Sequence, residues 1–212
     1  MDWILPCFKK EINELAYSFE ENELANYALT TNVELPIRDR LAHRLNQRFA
    51  IENSMCEHIA VREWYRRDLV LMHLPSKVVS AGFELKAGYT YDPLKKTPRQ
   101  YARFASDDLT KAKKKFEEKQ PNYDCPVYNV LFLTHSSEIP ANIPPGIITY
   151  ATQINGCVKR YGSADRVKHS AKTAVLDMFS DFNVLHSGSV SAGSFLNVDV
   201  EVLFWLFKHR LA

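Results

Sequence analysis

Cysteine is scarce and unpatterned. The four present, Cys7, Cys56, Cys125 and Cys157, never form a C-x-x-C, which excludes a zinc ribbon and a small disulfide scaffold and leaves buried thiols as the expectation. Walker loops, the dinucleotide signature G-x-G-x-x-G and the zinc-protease signature H-E-x-x-H are missing too, so nucleotide hydrolysis, redox and zinc-protease chemistry find no support. The seven histidines are dispersed without ligand spacing. The serines of Ser187 to Ser194 lie outside any G-x-S-x-G, and the segment reads as a flexible polar loop. No apolar run approaches a membrane span, and the apolar start, Trp3 to Phe8, lacks a basic lead and is too short for the core of a signal peptide. A soluble, cytoplasmic protein with no membrane partner is expected. No internal repeat or low-complexity tract is visible.

What is present fits one domain with a sizeable core: 212 residues, 46% hydrophobic. It divides into an N-terminal helical addition (1–33), a core (34–135) and a C-terminal elaboration (136–212). Net charge is +2, but unevenly spread. Glutamates crowd the first 35 residues, whereas Arg99, Arg103, Lys111, Lys113, Lys114 and Lys115 crowd a later stretch. That asymmetry suits a polyanion bound on one side.

The densest chemistry lies between Ala60 and Asp92. Arg67 to Met72 and Lys77 to Ala87 read as two strands of a hairpin turning at Leu74, Pro75 and Ser76. Alternation puts Glu84 and Lys86 on one face, and Asp68 begins the neighbouring strand. Carboxylates and an ammonium beside Val70, Leu71, Val78 and Val79 must be paired, hydrogen-bonded or bound to a metal. Mg2+ takes oxygen ligands and commonly uses only one or two protein carboxylates, which Asp68 and Glu84 can supply. Lys86 would then orient the attacking water or stabilise charge on a phosphate. The bland alternative is a solvent-facing Glu84/Lys86 pair with Asp68 as a turn acid.

Asp68 followed by Glu84-Leu85-Lys86 at the end of an apolar strand resembles the active-site signature of the PD-(D/E)XK nuclease superfamily. Arg67 stands where the family's nominal Pro would be. The resemblance, from about residue 34 to 135, implies an α/β fold with a central mixed sheet flanked by helices, a restriction-endonuclease-like core. It implies catalytic Asp68, Glu84 and Lys86, Mg2+ (or Mn2+) on Asp68 and Glu84, DNA as substrate, an endonuclease of restriction or DNA-processing type, and a homodimer. An acid on the helix before the first strand often joins the metal in this family; Glu34 and Asp39 are the candidates. Glu34 is equally well spaced to pair with Arg38. A nucleic-acid-binding accessory protein on the same fold, without cleavage, is the alternative, and an interaction module led by the acidic N-terminal helix is a third reading.

The remaining periodicities predict a helix over Lys10 to Leu29 with its glutamates in solvent, and a second after Pro36 with Ile37, Leu41, Leu45 and Phe49 inward. Arg40, Arg44 and Arg48 form a stripe on the second, either structural or phosphate-facing. A strand is expected from His58 to Tyr65. The pair Thr97/Gln100 with Pro98 makes a capping box opening a helix to Phe116, whose lysines would contact phosphate. Val127 to Thr134 reads as a central strand beside the Glu-x-Lys strand, Ile147 to Ala151 as a short strand, Ser163 to Phe179 as a helix, and Asn197 to Phe207 as a strand. Asp199 and Glu201 share a face of that last strand and form the rival carboxylate pair; they lack a lysine partner, and solvent exposure is the simpler account.

Overall fold

Apolar residues four apart in Ile4, Phe8 and Ile12 wind α1 (Ile4–Asn13), with Pro6 tolerated in the first turn. The structure, a computed structural model, describes residues 3–52, 55–95 and 125–209. The single helix expected over Lys10 to Leu29 is instead α1, a 3-10 turn at Leu15–Ser18 and α2 (Glu23–Thr30). Tertiary contact overrides the periodicity. Asn22 takes a left-handed φ of 63° and its Oδ1 accepts the Ser194 N–H from the far end of the chain, which reverses the backbone before α2. α3 (Glu34–Ile51) carries Pro36 in its first turn and buries Ile37, Leu41, Leu45 and Phe49 as expected.

Six strands form one mixed sheet: β1 (His58–Trp64), β2 (Arg67–His73), β3 (Val78–Tyr89), β4 (Val127–Ser136), β5 (Phe182–Phe195) and β6 (Val198–His209). Their order is β1-β2-β3-β4-β6-β5; β3 and β4 run parallel, the other pairs antiparallel. Between β4 and β5 come α4 (Ala151–Tyr161) and α5 (Ala164–Met178), the latter capped by Ser163, whose hydroxyl accepts the Arg166 N–H. Alternation gives the sheet two apolar faces. Leu69, Phe83, Leu85, Phe132 and Phe204 pack under α1 to α3, with Phe8 stacked 4.0 Å from Phe83. Leu131, Leu203, Trp205 and Phe207 pack under Val175 of α5 and the adjoining Phe179. The α/β class and the sheet flanked by helices are as expected.

Several expectations are corrected. Ile147 to Ala151 is no strand: a turn there leads directly into α4. Ser187 to Ser194 is no loop but the middle of β5, because pairing along the apolar β6 outweighs its turn-like composition. Its small residues have a packing reason, since a Cβ on Gly188 would lie 2.7 Å from the Phe204 ring. Of the glutamates expected in solvent, Glu20 and Glu21 are exposed, but Glu11, Glu14 and Glu23 are taken up by arginines of α3. Glu11 is 2% exposed and held by both Arg44 (2.7 Å) and Arg48, while Glu14 pairs with Arg44, Glu52 with Arg48, and Glu23 with Arg40. The arginine stripe is therefore structural. No disulfide forms among the described residues; Cys7 is buried as expected, but Cys56 is exposed. Among the described residues no helix is long and apolar enough to cross a membrane. The predicted helix from Thr97, with Arg99, Arg103, Lys111, Lys113, Lys114 and Lys115, lies outside the described residues.

Candidate active site

β3 outruns its hairpin partner, and the site lies in the notch this leaves. The β2–β3 pairing ends at Leu69 and Phe83, while on its other side β3 stays paired with β4 as far as Tyr89. Beyond Phe83 the N–H groups on the vacated edge need other acceptors. Two carboxylates supply them. The Leu85 N–H donates to Asp68 Oδ2 (2.7 Å) and the Ala87 N–H to Glu34 Oε2 (3.0 Å). Those two N–H groups are about 6.7 Å apart along a strand that rises 3.3 to 3.4 Å per residue. Asp68 comes from the start of β2 and Glu34 from the first residue of α3, whose own N–H is taken by Asn32 Oδ1 (3.0 Å).

The electrostatics tie these groups together. Burial lifts the Glu34 carboxyl above the usual glutamate range, the Asp68 charge pushes it further the same way, and Lys86, the Ala87 N–H and Arg38 pull against them. Asp68, Glu34 and Lys86 therefore share one electrostatic environment. Asp39 is not among them. Its carboxylate is shared by Arg38 (2.9 Å) and Arg62 (3.0 Å), and Arg38 also reaches Glu63 at 2.6 Å. The i, i+4 pairing of Glu34 with Arg38 is thus replaced by contacts on either side.

Glu84 shares a face with Lys86 but is only 5% exposed, and its Oε1 accepts from Arg67 Nη1 at 3.3 Å. Arg67, 1% exposed, reaches it by lying across Gly82, where a Cβ would stand 3.1 Å from Arg67 Cδ. The residue that departs from the family's nominal Pro thus holds the family's nominal glutamate, a relationship no spacing in the sequence announces. Asn129 sits beside Glu84 in the β3–β4 register, its buried amide nitrogen without a hydrogen-bond partner among the described residues.

The donor set suits a hard divalent cation. Asp68 and Glu34 offer oxygen only, two carboxylates are as many as Mg2+ commonly takes from a protein, and a cation would relieve both the burial of the Glu34 charge and the Asp68 repulsion that adds to it. Among the described residues no three His, Cys, Asp or Glu side chains converge as a metal-holding group, and Glu84 is paired with Arg67.

The rival carboxylates, Asp199 and Glu201, lie across the sheet from this notch. Glu201 does have a lysine partner, Lys168 of α5, which corrects the expectation, and Asp199 is exposed. They line a cavity of about 570 Å3 with His135, Asp165 and Ser191. His135 is buried there, and burial, followed by the Lys168 charge, lowers its imidazole below the usual histidine range. No protein-family model, no curated protein and no solved structure matches the chain.

Proposed function

We propose that the chain is a metal-dependent nuclease that hydrolyses phosphodiester bonds in DNA, an endonuclease of restriction or DNA-processing type, acting in the cytoplasm as a homodimer. The observation that carries this reading is the pair of carboxylates, Asp68 and Glu34, delivered from separate elements to consecutive edge N–H groups of the strand that bears Lys86. Those N–H donors keep each carboxylate oriented before any ligand arrives. Such pre-orientation is what a cation-binding and phosphate-binding site requires.

Asp68 and Glu34 would hold Mg2+ or Mn2+, with Glu84 as the further acid that the family resemblance implies. Bound there, the cation supplies Lewis-acid polarisation of the phosphate and an acidified water. Lys86 faces the Glu34 carboxylate electrostatically and is the group that can orient the attacking water and stabilise charge growing on the phosphate. Arg67 sets how readily Glu84 joins, because the Glu84 carboxylate exchanges one cationic partner for another.

The Arg67–Glu84 pair also favours a second reading, a nucleic-acid-binding accessory protein without cleavage. In that case Arg67 permanently neutralises Glu84. The deciding experiment is cleavage of supercoiled plasmid, linear duplex, single-stranded DNA and RNA with Mg2+, Mn2+ or EDTA. Metal-dependent cutting that falls by roughly 10²- to 10⁴-fold in Lys86→Met, the range for a positioned proton-transfer group, and is lost in Asp68→Asn and Glu34→Gln supports the nuclease. DNA binding without cutting by the unaltered protein supports the accessory reading.

A further inference from the structure

The hydrolytic reading leaves unexplained a cavity of about 310 Å3 on the Glu34 side of the notch, lined by Val33, the residue before that glutamate. Ala87, whose N–H Glu34 accepts, lines it, as does Asn32, whose side chain fixes the first N–H of α3. The cavity therefore begins one residue from the proposed metal site. Its volume lies at the small end of the range for ligand cavities, roughly 300 to 1,000 Å3, a size for one nucleotide rather than a length of duplex.

Its far wall is aromatic and rigid. Tyr89 and Tyr91 stack with centroids 5.3 Å apart and planes 10° apart, and both are buried. Tyr150 stands edge-on to them, 4.9 Å from Tyr89 and 6.2 Å from Tyr91, yet is 40% exposed. The Tyr89 hydroxyl donates to the Ala28 carbonyl, so the stack cannot slide. At the rim Lys95 lies 4.6 Å from the Tyr91 centroid and 2.8 Å from Asp92. A half-open aromatic ring, packed edge-on to two buried ones and with a cation and an amide lining the same cavity, presents what a nucleobase and its phosphate recognise.

We infer that this cavity receives the unstacked base of the nucleotide next to the scissile phosphate, so that single-stranded or frayed DNA, rather than intact duplex, is the substrate. A base inside a duplex has both faces covered by its neighbours and cannot offer one to Tyr150. A base in a single strand can, and because every base has a π-face the selection is for strandedness and not for sequence. The substrate assignment rests on the nuclease reading; the base site itself does not.

The test compares binding of 5′-dAMP and of deoxyribose 5-phosphate by NMR titration to the unaltered protein, Tyr150→Phe and Tyr150→Ala. Cleavage of oligonucleotides intact or abasic beside the cut is followed in parallel. Base stacking on an aromatic residue predicts that dAMP binds roughly 5- to 150-fold more tightly than the sugar phosphate. That preference is kept by Tyr150→Phe and lost in Tyr150→Ala, and single strands are cut in preference to duplex. Equal binding of the two probes to the unaltered protein overturns the inference without needing any variant to fold. If metal-dependent cutting occurs but ignores both strandedness and an abasic flank, the base site falls and the nuclease stands. If dAMP preference depends on Tyr150 but nothing is cut, the base site stands and the nuclease falls.

Discussion

Replacing Glu11 by Gln separates the two roles that the arginines of α3 could have had. Glu11 is 2% exposed, and its carboxylate bridges Arg44 and Arg48, which are themselves largely covered. The substitution converts two charge-assisted hydrogen bonds, each contributing about 1.5 to 3 kcal/mol, into at most one neutral bond of about 1 kcal/mol. Part of that loss is recovered, because Arg44 keeps Glu14 (2.8 Å) and Arg48 keeps Glu52 (2.7 Å), and because the amide is cheaper to bury than the carboxylate. A net destabilisation of about 2 to 4 kcal/mol remains, somewhat less than the roughly 3 to 5 kcal/mol for removing one partner of a buried pair outright. At about 2 to 4 °C per kcal/mol for a chain of this size, Tm falls by roughly 4 to 16 °C. Calorimetry or urea denaturation checks this, with the exposed Glu21→Gln as a control expected within about 0.5 kcal/mol of the parent. If the chain binds DNA as proposed, the same variant leaves the salt dependence of that binding unchanged, because Arg44 and Arg48 face carboxylates. A Glu11→Gln protein as stable as the parent, or a shallower salt slope, would refute the assignment of this stripe to structure.

Other consequences are as direct. Burial raises the Glu34 carboxyl in the folded protein, so its contribution to stability is complete below the ordinary glutamate pKa and is lost as pH rises through the folded value. Unfolding free energies measured from pH 4 to 8 should therefore shift in favour of Glu34→Gln with rising pH, and MgCl2 at pH 8 should raise the Tm of the parent but not of that variant. A gap that moves the opposite way removes the burial argument. Arg67→Met and Glu84→Gln should each cost about 3 to 5 kcal/mol, with the double variant losing less than their sum; strict additivity in a urea-denaturation cycle would mean that the 3.3 Å pair is not coupled. Two glycines should respond with opposite signs. Gly188→Ala drives a methyl into the fully buried Phe204 ring and costs about 1 to 3 kcal/mol, whereas Gly156→Ala, exposed within α4 with nothing within 4 Å of its Cβ, stabilises by about 0.5 to 1 kcal/mol.

The hairpin was legible because alternation, an apolar run and a Pro-Ser turn all pointed one way, and α3 because Ile37, Leu41, Leu45 and Phe49 repeat every fourth residue after a proline. β4 announced itself by the apolar run Val130 to Leu133 within a segment broken only by Asn129, as a strand covered on both faces requires. Where composition and tertiary pairing disagreed, composition misled. The serines and glycines of β5 have loop chemistry, yet a strand as apolar as β6 accepts a small-residue neighbour because its own phenylalanines fill the space. Glu11 read as surface because nothing local tells a glutamate that two arginines more than 30 residues later will enclose it. At the candidate site, chemical type was readable and partnership was not. Asp68 and Glu34 could be named from their place within the elements, but their attachment to the Leu85 and Ala87 N–H groups depends on where β2 begins to pair with β3, and the hold of Arg67 on Glu84 depends on the absence of a side chain at Gly82.

The two carboxylate contacts on the edge of β3 differ greatly in the length of chain each must close. Asp68 reaches Leu85 across 17 residues within one hairpin, whereas Glu34 reaches Ala87 across 53 and must wait for α3 to dock on the sheet. Hairpins close in microseconds, while contacts between distant segments bear a larger loop-closure entropy and form later. The order of assembly therefore runs from Asp68 to Glu34, and a chain still folding, or one whose first helices have come away, carries half a site. On the nuclease reading proposed above, hydrolytic chemistry would be withheld until the fold is complete, because both carboxylates are in place only then.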